Sequence, residues 1–165
     1  MPDRPQLAVV DSTPIIALAL IGKLDLLHRL YNQVLIPPAV QREVLAGGPG
    51  TVGRTELRQA PWIQVIPLQD PRRAEMLSDL DRGEAEVIAL AQELDAGLVI
   101  IDERLARRHT RRLGLTLTGT LGVLLRAKRV GLIPSLTPLV EQLLQGGIYL
   151  GDSVVAEALR LAGEL

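Results

Sequence analysis

Four carboxylates stand where this chain should change from one element to the next. Asp11 closes the apolar run Leu7–Val10, and Asp102 follows the run LVII at 98–101. Glu84 opens GEAEVIALAQEL, whose apolar residues Val87, Ile88, Ala91 and Leu94 recur at helical spacing. At about 100° per residue Glu84 falls on the inward stripe of that helix, while Glu86 turns away with Glu93 toward water. Glu43 follows Val40 by three positions and Ala39 by four, so it borders the apolar stripe of its own helix. A carboxylate facing a core is costly unless it is paired or binds a cation. Like charges a few ångströms apart raise one another's pKa, and a divalent ion resolves that conflict. Oxygen donors without Cys or His suit Mg²⁺ or Mn²⁺, and such ions promote in-line phosphodiester hydrolysis.

The elements that must position these acids alternate. After the first strand, Ser12, Thr13 and Pro14 read as a helix start with a hydroxyl cap and a proline at the first helical position. KLDLLHRLY predicts a second helix and VLI at 34–36 a second strand, with Pro37 and Pro38 opening the helix that carries Glu43. GGPGTVG at 47–53 reads as a glycine-rich loop. A short helix near 55–59, a strand IQVI and a helix or turn over 71–80 lead to the helix of Glu84. ERLARRHTRRL after Asp102 predicts a basic helix, 115–118 a strand and 119–130 a helix. PLVEQLL and DSVVAEALRLAG, the latter capped by Asp152, add helices over about 134–163. Short apolar strands alternating with helices predict an α/β fold, with a central parallel sheet of four to five strands flanked by helices, in one domain over 1–165. In such folds ligands sit beyond the carboxyl ends of the strands, where Asp11 and Asp102 fall and which Glu43 and Glu84 could reach.

Composition narrows the partners. With 47% hydrophobic residues among 165, the chain can bury a substantial core. Its net charge of −1 gives no global attraction to a polyanion, so nucleic acid must be held by a local patch. The absence of cysteine excludes disulfides and thiolate metal sites. No apolar run approaches the roughly 20 residues of a membrane span, which leaves a cytoplasmic protein without membrane contact as the expectation. The aromatics are Tyr31, Trp62 and Tyr149, too few for a base-stacking platform, so backbone contacts would dominate.

The densest positive cluster, Arg104, Arg107, Arg108, Arg111 and Arg112, lies just beyond Asp102 and could hold a phosphate backbone. Arg104, nearest Asp102 along the chain, is the leading candidate, against the alternative of a solvated helix face. His28 and His109 have no partner at metal-ligand spacing. Trp62 reads as a core or edge filler.

The succession DSTPIIAL after a buried strand, IPPAVQREVL, GEAEVIALA and LVIIDERLAR resembles the PIN domain, the ribonuclease fold of VapC-type toxins. The likeness is closest to the PIN-like branch with a GE-A-E helix and a GTLGVLLRAKR segment, and it runs over about residues 7–133; the AGE ending also fits. The resemblance implies a three-layer fold and a Mg²⁺- or Mn²⁺-dependent endoribonuclease with an acidic pocket of Asp11, Glu43, Glu84 and Asp102. It also implies that Ser12 is the hydroxyl after the first acid, with Glu86 as a rival to Glu84. An RNA substrate, a small antitoxin and self-pairing as a homodimer come with it. The chain departs from the family pattern by having Glu84 in place of an aspartate, Ile100 in place of a hydroxyl, and Arg104 where an acid or amide is common. Ile100 and Arg104 favour an alternative, a PIN-like binding or regulatory module with weakened catalysis. A receiver domain is a third reading, set back because Asp11 has no acidic neighbour in sequence and Lys23 and Lys128 fall in helices.

Overall fold

A computed structural model describes residues 6–47 and 52–165. Five strands form one parallel sheet: β1 Leu7–Val10, β2 Gln33–Ile36, β3 Ile63–Val65, β4 Leu98–Ile100 and β5 Leu117–Thr118, in the order β3-β2-β1-β4-β5. The chain winds outward from β1 in one direction through β2 and β3, then returns to the other side for β4 and β5. The topological switch therefore lies between β1 and β4, where parallel sheets open a crevice at their carboxyl edge. Register brings Val10 opposite Ile100 and Ile100 opposite Thr118, so the residues following these strands emerge together. Ala8, Val9, Val10, Val99 and Ile100 are fully buried, as expected of strands covered on both faces.

Helices α1 Ser12–Leu20, α2 Asp25–Leu30, α3 Pro38–Ala46, α4 Arg54–Arg58, α5 Arg72–Glu75, α6 Arg82–Leu94, α7 Arg104–Arg112, α8 Thr120–Arg129, α9 Thr137–Gln145 and α10 Asp152–Leu161 flank the sheet, giving the expected three-layer α/β architecture. Helix α6 packs against α3, α5 and β1, and it is buried without a break from Ala85 to Ala91. That burial overturns one expectation. Glu86 does not face water: it is 5% exposed, because α6 is covered on several sides rather than lying as a half-exposed helix.

Two caps also differ from expectation. Asp11, rather than a hydroxyl, caps α1, and Pro14 sits at its third position instead of its first. Gly151 caps α10, with Asp152 its first residue. Residues 48–51 of the expected glycine-rich loop lie outside the described residues. Trp62 fills the edge beside β3, stacked on His28 with ring centroids 4.9 Å apart. At the other end of the chain Glu164 accepts hydrogen bonds from the N–H groups of Leu136 and Thr137, the Thr137 hydroxyl and the Lys128 ammonium. Those bonds tie the segment after α10 to α8 and α9, and they hold the Glu164 carboxyl down at about 2. Among the described residues no helix is long and apolar enough to cross a membrane.

Candidate active site

Asp11 sits at the switch point because β1 ends there: its N–H donates to the Ile100 carbonyl at 2.9 Å. Its side chain turns back to cap α1, Oδ1 accepting the Ser12 N–H at 2.8 Å. The residue is only 3% exposed. Burial raises its carboxyl from 3.8 to about 7; the Ser12 N–H opposes the rise, and Asp81, Glu43 and Asp102 add to it.

Glu43 reaches the same place from α3, where its Oε2 accepts the Ser12 hydroxyl at 2.7 Å. Its carboxylate lies against Gly83 at the start of α6, so closely that a Cβ there would overlap it. Gly83 thus serves close approach, letting one acidic helix meet the N-terminus of another. Ser12, expected beside the first acid, joins Asp11 to Glu43.

Glu84 follows Gly83 and forms a capping box with Asp81. The Glu84 N–H donates to Asp81 Oδ1 at 2.8 Å, and the Asp81 N–H to Glu84 Oε2 at 3.3 Å. Burial raises Glu84 from 4.5 to about 8, with Asp81, Asp11 and Glu103 adding and the Asp81 N–H opposing. Asp81 is an acid that the sequence reading missed. Its signal was the D-x-x-E pattern ahead of an apolar run, DRGE at 81–84. Glu86 lies elsewhere: Oε1 accepts the Ala39 N–H at 3.2 Å at the start of α3, and Oε2 pairs with Arg82 at 2.6 Å. It satisfies a helix end that has no side-chain cap of its own.

Asp102 approaches from the β4 side, near enough to add to the rise of the Asp11 carboxyl. Both of its oxygens are engaged by one residue, Oδ1 by the Thr120 N–H at 2.8 Å and Oδ2 by the Thr120 hydroxyl at 2.6 Å. Glu103 caps α7 through the Ala106 N–H. Of the arginines, Arg104 and Arg108 are exposed on α7, but Arg107 rather than Arg104 turns toward Asp102. Its Nη1 donates to the Ile101 carbonyl at 2.9 Å. Ile100, where the family pattern has a hydroxyl, is fully buried in the sheet.

Among the described residues, Asp11, Glu43, Asp81, Glu84, Asp102 and Glu103 form no ion pair within 4.0 Å. Their donor set is all oxygen and anionic, and two of the acids are held at raised pKa. That chemistry fits a hard divalent cation. Also among the described residues, no three His, Cys, Asp or Glu side chains are already arranged to hold a metal ion. Glu43, Glu84 and Asp102 instead spend oxygens on Ser12, the Asp81 N–H and Thr120.

A family model described as a PIN domain matches residues 7–164. No match was found among curated proteins. PIN domains are in general nucleases that act on nucleic acid with the help of divalent metals. The match takes in every strand, the switch point and all the acids gathered there, and on that extent the chain belongs to the PIN-domain family.

Proposed function

We propose that this protein is a Mg²⁺- or Mn²⁺-dependent endoribonuclease that hydrolyses RNA phosphodiester bonds at the carboxyl edge of its sheet. The observation that carries the reading is Asp11: a carboxylate 3% exposed, its pKa raised first by burial and then by neighbouring acids, with no ion pair among the described residues. Asp11, Glu43, Glu84 and Asp102 would hold the ion, with Asp81 adjacent and Ser12 orienting Glu43. When bound, the ion supplies positive charge that stabilises the developing negative charge on the phosphate and favours deprotonated water at neutral pH.

The chain's own residues supply the rest. Asp11, whose carboxyl burial raises in the metal-free chain, would give up its proton when the ion binds, so ion binding should strengthen as pH rises. Arg104 and Arg108 are exposed on α7 and Arg107 turns from the same helix toward Asp102, which supports a role for the three in holding the RNA backbone. A role as the toxin of a toxin–antitoxin pair, with a small antitoxin over the acidic groove and a homodimeric nuclease in the cytoplasm, extends the same reading. A neighbouring reading frame encoding a short basic DNA-binding protein would support it.

Single-stranded RNA and DNA of one sequence, incubated with the protein and Mn²⁺ or EDTA, test the activity. Wild type should cut RNA only with Mn²⁺, and Asp11→Asn should not cut while remaining folded. Undiminished cleavage by that variant would remove the mechanism. The second reading, a nucleic-acid-binding module with weakened catalysis, is favoured by the engagement of Glu43, Glu84 and Asp102 in internal hydrogen bonds. RNA binding without heat of Mn²⁺ binding would select it.

A further inference from the structure

The segment that joins β5 to α8 does more than connect them. Register places Thr118 opposite Ile100, and the Ile101 N–H donates to the Thr118 carbonyl at 2.9 Å. Gly119 and Thr120 therefore emerge directly beside Ile101 and Asp102. Thr120 is fully buried, an unusual place for a hydroxyl unless it is satisfied, and its partner is the Asp102 carboxylate. Its N–H takes the other oxygen, so a single residue grips both.

Gly119 makes the grip possible. Its φ of −124° is one that any residue adopts, so conformational freedom is not what glycine contributes. Space is the reason: a Cβ would stand 2.5 Å from Asp102 Oδ1 and 2.9 Å from Arg107 Nη1. Any side chain would push the carboxylate off the start of α8 and displace the arginine beside it.

From this juxtaposition we infer that Thr120 is a positioning residue for Asp102. It holds both carboxylate oxygens in one orientation, leaving their unshared lone pairs to an ion, with Gly119 as the gap that admits the contact. The inference rests on the proposed nuclease function, since it assigns Asp102 to the ion. Two donors from one rigid helix start remove the rotational freedom of a side chain that must meet an ion in one orientation. Partners of metal-binding carboxylates commonly control affinity in this way.

The test compares Thr120→Val, which keeps the N–H and the shape but loses the hydroxyl, with Thr120→Ser, which keeps both donors. Calorimetric titration of Mn²⁺ into each folded protein gives a readout independent of turnover. Thr120→Val should weaken Mn²⁺ binding by about 10- to 100-fold. Its kcat at subsaturating Mn²⁺ should fall in proportion while KM for RNA holds, and Thr120→Ser should stay within about threefold of wild type. Equal Mn²⁺ affinity in wild type and Thr120→Val overturns the inference. So does equal loss in the valine and serine variants, which would mark a packing role. If Thr120→Val does not fold, the Thr120→Ser and Thr120→Ala pair decides by the same comparison. Absence of Mn²⁺ binding in wild type would instead sink the nuclease reading and the inference with it. Binding by wild type that the hydroxyl does not influence sinks the inference alone.

Discussion

Replacing Asp11 with Asn should stabilise the metal-free protein at alkaline pH while abolishing its activity. The carboxyl titrates at about 7 in the folded chain against 3.8 for an unperturbed aspartate. Below about pH 3.8 both states are protonated and burial carries no charge penalty. As pH rises above that value the unfolded chain ionises first, so stability falls with pH until the folded carboxyl also ionises near 7. The full difference, at about 1.4 kcal/mol for each tenfold in proton affinity, is roughly 4 kcal/mol. Asn keeps an oxygen to accept the Ser12 N–H but carries no charge, so it should recover roughly 2–4 kcal/mol at pH 8 and almost nothing at pH 4. For a chain of this size that is a rise in Tm of roughly 5–15 °C. Thermal and urea unfolding of both proteins at the two pH values, in EDTA, measures it. A variant destabilised by the same amount at both would refute the argument, because it would make Asp11 an ordinary helix cap.

Three other perturbations probe the surroundings. Glu86→Ala should cost roughly 2 kcal/mol in urea unfolding, since it strands the buried Ala39 N–H at the start of α3 and frees Arg82. Glu164, its carboxyl held at about 2 against 4.5 unperturbed, contributes stability that is complete above pH 4.5 and lost as pH falls toward 2. Glu164→Ala should therefore lower Tm at pH 7 and flatten its dependence over that acid range, as followed by circular dichroism. Arg104→Ala and Arg108→Ala should each weaken RNA binding without regard to sequence and reduce the slope of log affinity against log salt by about 0.7. Unchanged slopes would remove those two residues from the interface.

Much of the fold was legible because the runs at 7–10, 34–36 and 98–101 are short, wholly apolar and followed by an acid or a proline. Leu7–Val10, 34–36 and 98–101 announce buried parallel strands, and the helices of Glu43 and Glu84 carry their own periodicity. The order of the strands was not legible, since register is set by packing between elements far apart in sequence. The misjudged facing of Glu86 has a similar cause. Periodicity identifies the face of a helix that rests on one surface, but α6 is enclosed by β1, α3 and α5, and a second buried face opens for a carboxylate that can cap a neighbouring helix. Arg107 displaced Arg104 as the neighbour of Asp102 because the turn of α7, rather than distance along the chain, decides which guanidinium folds back. Thr120 left no local signal: eighteen residues separate it from Asp102, and only the pairing of β4 with β5 joins them.

Whether these acids form one cation site can be seen by anomalous diffraction from crystals soaked in Mn²⁺. A manganese peak should lie at the carboxyl edge of the sheet between β1 and β4, contacted by Asp11 together with Asp102 and Glu43 or Glu84. A peak at that place lacking Asp11 as a ligand, or no peak there at saturating Mn²⁺, would contradict a shared site.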